Sequence, residues 1–180
     1  MPETAAWEYF GPDLFTSSGG FSNIYSIPAY QASAVARYFE IANPPYPYYE
    51  ILGGFNASKA GNGIYNRIGH GVPDVAALGQ NIALYNEGEF VLEGGTSAAS
   101  PIFASIVTRI NDERLNIGKG PIGFINPTLY AHPYILNDIT NGTNPGCGTA
   151  GFTAAPGWDP VTGLGTPNFP RMLELFLSLP

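Results

Sequence analysis

The chain is poor in basic residues and contains no long apolar run. Its 180 residues include seven Lys and Arg against 14 Asp and Glu, which gives a net charge of −7. Because these basic residues are scattered, the electrostatic footprint of a protein that binds nucleic acid or anionic membranes is missing. No apolar run approaches the roughly 20 residues that span a bilayer. The sequence therefore predicts neither nucleic acid nor a membrane among its partners.

Cysteine and export signals are scarce as well. Cys147 is the single cysteine, so it is left as a buried thiol, a free thiol or a link to another chain. The first residues, Met1-Pro2-Glu3-Thr4, lack the basic and apolar regions of a signal peptide. Two glycosylation sequons, Asn56-Ala57-Ser58 and Asn141-Gly142-Thr143, instead favour an exported protein.

What is present suits one folded domain, or a large piece of one. Hydrophobic residues make up 44% of the chain and charged residues 12%, so the sequence is too apolar to be disordered. Its 23 Gly and 17 Pro are spread along the chain. This distribution predicts short elements that are joined by shaped loops.

Apolar residues at helical spacing predict three helices. The first runs from Tyr30 to Ala42, with Val35, Tyr38, Phe39 and Ile41 among polar residues. The second follows Ser97 with a stripe of Phe103, Ile106, Val107 and Ile110, a polar stretch from Asn111 to Arg114, and a stop at Gly118. The third runs from about Phe169 to Leu179.

The remaining segments predict turns and strands. Residues 81–92 read as a hairpin that is broken by the polar run Asn86-Glu87-Gly88-Glu89. Gly69 to Leu78 reads as a loop running into a short buried strand or turn. Gly120 to Pro167 is dense in Gly, Pro, Asn and Thr, and a stretch of that length without regular structure is usually functional or held by a ligand.

The segment Gly94–Pro101, GGTSAASP, carries the strongest chemical signal. A glycine turn there delivers Ser97 to the start of a helix, as several hydrolases mount a nucleophile. The helix N-terminus also offers unpaired N–H groups for an oxyanion. Ser and Thr are ordinary helix N-caps, and Pro is ordinary in a first turn, so a purely structural interpretation fits the same residues.

A nucleophilic serine needs a general base, and neither histidine of the chain suits that role. His70 lies between two glycines and His132 precedes a proline, so each fits a surface or packing role better than a catalytic one. A carboxylate base suits a peptidase that works in acid, where histidine is protonated and cannot accept a proton. Such a base would come from elsewhere in the fold.

Two carboxylates in the long Gly-rich segment suggest a metal site. Asp138 and Asp159 each lie beside turn-forming residues whose carbonyl groups can face inward. Mixed carboxylate and carbonyl oxygens are the ligands that Ca²⁺ prefers. Both residues fit equally well as turn residues that bond their own backbone.

Six short motifs follow one another along the chain. They are Gly19-Gly20-Phe21-Ser22-Asn23, Pro73-Asp74-Val75-Ala76-Ala77, Gly94–Pro101, Gly123-Phe124-Ile125-Asn126-Pro127, Asn137-Asp138-Ile139-Thr140 and Gly157–Pro167. In these residues, and over most of the chain from about Ser17 onward, the sequence resembles the C-terminal half of the sedolisin family of serine-carboxyl peptidases, which includes tripeptidyl-peptidases.

The resemblance implies an α/β, subtilisin-like fold of which residues 1–180 hold only the C-terminal part. It implies a partial parallel sheet with flanking helices and a calcium-binding loop region. Ser97 would be the nucleophile. One Ca²⁺ would be held by the side chains of Asp138 and Asp159 and by the carbonyls of Ile139 and Gly157. Ala155 falls where the family often has a further carbonyl ligand.

The chain also departs from the family. The family's base is a Glu backed by an Asp four residues later, with a further Asp at the oxyanion, and these lie N-terminal to the part seen here. No Glu of this chain has Asp four residues on, and Asp74 is better interpreted as structural. Without the N-terminal half, we expect exposed apolar faces, poor stability and no activity in the isolated chain.

The leading hypothesis is therefore a serine peptidase, an endopeptidase or a tripeptidyl-peptidase, that cleaves peptide or protein substrates at acid pH once its N-terminal half completes it. The resemblance and the sequons favour an extracellular or acidic-vesicle location. The alternative is a truncated, calcium-stabilised domain without activity. A subtilisin-type peptidase with a histidine base is disfavoured by the residues after Ser97 and by the calcium motif.

Overall fold

Helices and short strand pairs alternate along the chain. The computed structural model describes residues 2–10, 13–51 and 64–180. The described elements, in chain order, are β1 (Trp7–Phe10), β2 (Asp13–Thr16), β3 (Gly20–Ser26), α1 (Ala32–Ala42), β4 (Tyr48–Tyr49), β5 (Tyr65–Asn66), β6 (Gly69–Val72), β7 (Ile82–Asn86), β8 (Glu89–Glu93), α2 (Thr96–Asn116), α3 (Asn126–Ala131), a 3₁₀ turn (Pro133–Ile135), β9 (Leu136–Asn137), β10 (Thr166–Pro167) and α4 (Phe169–Ser178).

The strands of the described ranges form pairs rather than one sheet. β1 pairs with β2, β3 with β6, β7 with β8 and β9 with β10, all antiparallel. Only β4 and β5 pair in parallel, with Tyr48 opposite Tyr65 and Tyr49 opposite Asn66. The mixed α/β class is confirmed, but the expected partial parallel sheet is limited to this one pair. Each of these two strands has only two residues, which is too short for a longer parallel ladder.

The three predicted helices are confirmed, with a difference in α1. Val35, Tyr38 and Phe39 are buried on its inner face, whereas Ile41 is 43% exposed. In α4 the residues Met172, Leu175 and Phe176 form the buried face. Across the part of the chain that the structure describes, no helix has the length and apolarity needed to cross a membrane.

The predicted hairpin is confirmed as β7 and β8. Its two-residue turn is Glu87-Gly88, and both residues have positive φ, 52° and 87°. This geometry matches the right-handed twist of the strands that the turn connects, which explains the glycine.

Two loop predictions need correction. Within Gly69 to Leu78 the strand comes first, as β6, and the residues after Pro73 are coil. The segment Gly120 to Pro167 contains a helix, α3, with Pro127 in its first turn and Leu129 buried. Proline is favoured in a first helical turn, so Asn126-Pro127 was the signal for this helix.

The core is built around aromatic rings from distant parts of the sequence. Phe21 lies 5.2 Å from Phe39, 5.4 Å from Tyr65, 5.4 Å from Phe152 and 6.0 Å from Trp158, measured between ring centroids. Pairs of this kind contribute about 0.5–1.5 kcal/mol beyond the area they bury. The Phe21 ring therefore connects β3, α1 and the C-terminal loops.

A buried side-chain amide fixes β6 against α1. Gln31 is fully buried, and its amide accepts from Gly71 N at 2.9 Å and donates to Gly71 O at 2.8 Å. The Trp158 ring lies so close that a Cβ on Gly71 would be 2.4 Å from it. Glycine at position 71 is therefore required by packing.

Arg114, in the stretch that looks polar in the sequence, is only 3% exposed. Its guanidinium donates to the carbonyl oxygens of Gly120 at 2.7 Å and of Leu179 at 3.2 Å, and also to Phe176 O. A further bond reaches Pro180 O at 2.6 Å. The positive charge thus lies at the C-terminal end of α4, where the helix dipole is negative.

Arg114→Met is expected to lower the free energy of unfolding by about 2–4 kcal/mol, because several buried carbonyls lose their donor. Chemical denaturation measures this loss. Arg109→Met is the matched control on the exposed side of α2, where its ion pairs with Asp112 and Glu113 are worth at most about 1 kcal/mol. Equal losses in the two variants would contradict the stabilising role of Arg114.

Candidate functional site

Ser97 is an exposed residue in the first turn of α2. Gly95 precedes the helix with φ 142° and ψ 152°, a conformation that favours glycine. Its N–H donates to Gly79 O at 2.7 Å. A Cβ on Gly94 would lie 3.1 Å from the same carbonyl oxygen. The two glycines therefore let the chain turn closely against Gly79 before Ser97.

The N-terminus of α2 has no side-chain cap. Gly95 is the N-cap residue, and its carbonyl accepts from Ala98 N at 3.0 Å and from Ala99 N at 3.3 Å. Neither Thr96 nor Ser97 serves as the cap, so the ordinary capping interpretation of this motif does not apply. The first amide groups of such a helix start are available to an acceptor.

A cavity of about 770 Å³ lies beside this helix start. Residues 2–6 and 75–81 line it together with Thr96, Ala99 and Phe103 of α2. Ser97 is not among the described lining residues. The first turn of α2 therefore borders the cavity, but Ser97 itself does not line it.

No side chain in the described ranges hydrogen-bonds to Ser97. His70 lies on β6, and its buried Nε2 has no hydrogen-bond partner among the described residues. His132 lies just after α3, with its ring 5.8 Å from that of Tyr134. The structure therefore joins neither histidine to Ser97.

Asp74 belongs to a structural network. Its carboxylate accepts from the Tyr130 hydroxyl at 2.9 Å, and its carbonyl oxygen accepts from Leu164 N at 2.9 Å. The Tyr130 hydroxyl in turn accepts from Gln31 Nε2 at 2.7 Å. Burial raises the pKa of Tyr130, which keeps its hydroxyl protonated as a donor.

Asp159 is a fully buried carboxylate in the C-terminal loop region. Its oxygens accept from the backbone N–H groups of Ala155 at 3.0 Å, Val161 at 2.9 Å and Thr162 at 2.7 Å. The Thr162 hydroxyl lies 3.1 and 3.2 Å from the two oxygens. Burial raises the pKa of Asp159 to about 6, although these hydrogen bonds favour the charged form and oppose the shift.

The second carboxylate lies on the adjoining loop. Asp138 is exposed, and its Oδ2 accepts from Gly157 N at 2.8 Å. The Thr162 hydroxyl lies 3.4 Å from Ile139 O, which connects the 138–139 segment to Asp159. The structure thus brings together the two stretches of chain that contain the predicted calcium ligands.

The donor set of these loops consists of oxygen atoms and suits Ca²⁺. Across the described ranges no group of three or more His, Cys, Asp or Glu side chains surrounds a common point. A cation here would therefore need backbone carbonyls in addition to Asp138 and Asp159, a mixture that Ca²⁺ accepts. Ala155 contacts Asp159 through its N–H group.

Comparison with known proteins gives consistent matches, although no family model matches the chain. Aorsin from Aspergillus oryzae is 66% identical over 180 residues, covering 100% of this chain and 27% of aorsin. Tripeptidyl-peptidase sed1 from Aspergillus fumigatus is 61% identical over 92% of this chain and 26% of its own length. Human tripeptidyl-peptidase 1 is 39% identical over 91% of this chain and 28% of its own length.

A solved structure agrees with these matches. It is Pseudomonas sedolisin, a serine-carboxyl proteinase complexed with two molecules of pseudo-iodotyrostatin. Its TM-score is 0.66 at 24% identity, over 99% of this chain and 42% of that chain, so it shows a shared fold. The chain belongs to the sedolisin family. It spans only about a quarter of the length of the curated relatives, 26–28% in the three cases above.

Several positions in this sedolisin chain matter more than the sequence suggested. Thr162 bonds both oxygens of Asp159, and its position three residues after an aspartate is typical of a side-chain turn. Nothing in the sequence indicated that Gln31 is buried, because a polar residue at a helix start usually faces water. Cys147 is exposed and free, and the sequon at Asn56 lies outside the described residues.

The pKa of Asp159 predicts how stability depends on pH in a buffer free of divalent cations. Between the ordinary value of 3.8 and the folded value of about 6, the folded chain retains a proton that the unfolded chain has released. The free energy of unfolding should therefore fall as pH rises through this window, by about 3 kcal/mol at most. Denaturation curves at several pH values measure the slope.

Two variants identify the titrating group. Asp159→Asn should flatten the slope, whereas Asp112→Asn, on the exposed side of α2, should leave it unchanged. If Asp159→Asn kept the full slope, another group would be responsible and the assignment would fail.

Proposed function

We propose that this chain is the serine-bearing part of a serine-carboxyl peptidase, an endopeptidase or a tripeptidyl-peptidase, that hydrolyses peptide bonds at acid pH. One observation carries the proposal: Ser97 is exposed in the first turn of α2, after a glycine turn that is tied to Gly79 O. The names of the relatives support it, since two of those compared are tripeptidyl-peptidases.

The chemistry follows from this position. Ser97 Oγ attacks the carbonyl carbon of the scissile peptide bond, and its proton passes to a base. The C–N bond then breaks, the amine leaves with a proton, and water hydrolyses the acyl-enzyme. N–H groups at the start of α2 stabilise the negative charge that develops on the carbonyl oxygen. A carboxylate serves as the base, because histidine is protonated in acid.

The catalytic base comes from an N-terminal half that residues 1–180 do not include. The same half packs on the apolar residues of α2. From residue 98 to residue 107, α2 has apolar side chains on most of its sides, yet none of them is buried. A helix that is apolar all round is normally buried. The cavity beside Thr96 and Phe103 is also lined largely by apolar groups. Both features support a further part of the same subtilisin-like domain packed on this face.

The loop region binds one Ca²⁺ in this proposal. The side chains of Asp138 and Asp159 and the carbonyls of Ile139 and Gly157 would hold it, and the ion would supply positive charge beside a buried carboxylate. Gly157 N already bonds Asp138, so the ligands are near one another without the ion. An ion that binds only the folded chain stabilises that state.

A second function is a calcium-stabilised domain without activity. It is favoured by the absence of any side chain bonded to Ser97 in the described ranges.

The first function further requires that the protein meet peptide or protein substrates outside the cell or in an acidic vesicle, where a carboxylate base would operate.

Ser97→Ala in the complete polypeptide that contains this chain should lower kcat/KM for peptide hydrolysis at acid pH by roughly 10⁴-fold or more, because the acyl-enzyme cannot form. Ser105→Ala is the matched control, since its hydroxyl lies on the same helix and, among the described residues, bonds only Ile102 O. Its activity should equal that of the unchanged protein.

Two outcomes would contradict the proposal. Acid-pH activity that survives Ser97→Ala would exclude this serine as the nucleophile. Turnover by the 180-residue chain alone would exclude the need for a base from a further part of the domain.

Calcium at about 100-fold above its Kd should raise the free energy of unfolding by about 2.7 kcal/mol, with a matching rise in Tm. Mg²⁺ should give less, because it demands a smaller octahedral site. Asp138→Asn should reduce the calcium effect, whereas Asp112→Asn should retain it. A Tm that does not respond to calcium in the unchanged protein would rule out the site.

A further inference from the structure

The Asn141-Gly142-Thr143 sequon lies in a loop that the proposed peptidase chemistry does not use. Asn141 is exposed, and its side chain makes no hydrogen bond to any residue that the structure describes. We propose that Asn141 is a modification site and carries an N-linked glycan in the folded protein. This assignment is independent of the proposed function.

The backbone of the sequon is fixed while its acceptor side chain is free. Asn141 O accepts from Ala5 N at 2.9 Å, and Gly142 O accepts from Ala154 N at 2.9 Å. Thr143 forms an isolated antiparallel bridge with Thr153. Since these contacts involve main-chain atoms, a sugar on Asn141 Nδ2 would displace none of them. The folded state therefore tolerates the glycan without losing a hydrogen bond.

The middle residue of the sequon is glycine for a reason of packing. Gly142 has φ +114°, and a Cβ at this position would lie 2.6 Å from Ala5 Cβ. Any other residue would be strained there. The sequon accepts every middle residue except proline, so the residue that the fold requires also preserves the acceptor motif.

The modification is a balanced group transfer. The Asn141 amide nitrogen forms a bond to C1 of an oligosaccharide that is attached to a lipid pyrophosphate. The bond between C1 and the pyrophosphate oxygen breaks, the lipid pyrophosphate leaves, and the nitrogen loses one proton. The co-reactant is thus a lipid-linked oligosaccharide, and no oxidant or reductant is involved.

A glycan at Asn141 would also constrain how the remaining part of the protein packs. A bulky hydrophilic group must face solvent. The loop at 141–143 would therefore stay uncovered in the complete protein, while the apolar sides of α2 are covered. The apolar sides of α2 would be buried in the complete protein, whereas the 141–143 segment, which carries a polar acceptor, would remain in contact with solvent.

The test is peptide mapping of the protein from the cells that make it, after treatment with an amidase that converts glycosylated Asn to Asp. We expect the peptide that contains position 141 to carry Asp only after treatment. An unmodified Asn141 in this material would overturn the proposal.

Variants separate this sequon from the other one. In the complete polypeptide that carries Asn56→Gln, the peptide that contains position 141 should carry one glycan, and endoglycosidase should shift the mass of that peptide. Asn141→Gln and Thr143→Ala should each abolish that shift, whereas Thr143→Ser should retain it because serine preserves the motif. A shift that survives Asn141→Gln in the Asn56→Gln background would place the glycan elsewhere and reject the assignment.

Discussion

The buried amide of Gln31 connects the start of α1 with β6 and with α3. It holds Gly71 of β6 through both its N–H and its carbonyl group, and it bonds the Tyr130 hydroxyl of α3. The Tyr130 hydroxyl donates to the Asp74 carboxylate, and the Asp74 carbonyl oxygen accepts from Leu164 N in the C-terminal region. A buried polar group is costly unless its bonds are made, so this network favours one arrangement of the elements it joins.

The candidate site depends on that arrangement. Residues 75–81, which follow the network along the chain, form one wall of the cavity beside α2. Within them, Gly79 holds the Gly95 N–H and so fixes the turn that precedes Ser97. The position of the serine is therefore set by tertiary contacts that reach back to α1. A glycine turn in the sequence permits this geometry, but the partner carbonyl selects it.

The two buried charged residues of the described ranges are accommodated in different ways. Arg114 lies among backbone carbonyls at the end of α4, where its positive charge complements the helix dipole. Asp159 instead accepts backbone and hydroxyl hydrogens, and its raised pKa shows that these bonds do not fully offset burial. A cation beside Asp159 would remove this imbalance, which is why calcium and the loop geometry form one proposal.

The sequence by itself determined the local elements: α1, α2, α4 and the β7–β8 hairpin follow from apolar periodicity and turn residues, which act over a few positions. It also placed Ser97 at a helix start, because the motif is local. Only the tertiary structure decided that Gln31 and Arg114 are buried and that Asp138 bonds Gly157. It also decided that β6 stands at the start of the 69–78 segment and that parallel pairing is limited to β4 and β5. These outcomes depend on contacts between residues far apart in the chain, and no local pattern specifies which distant groups will meet.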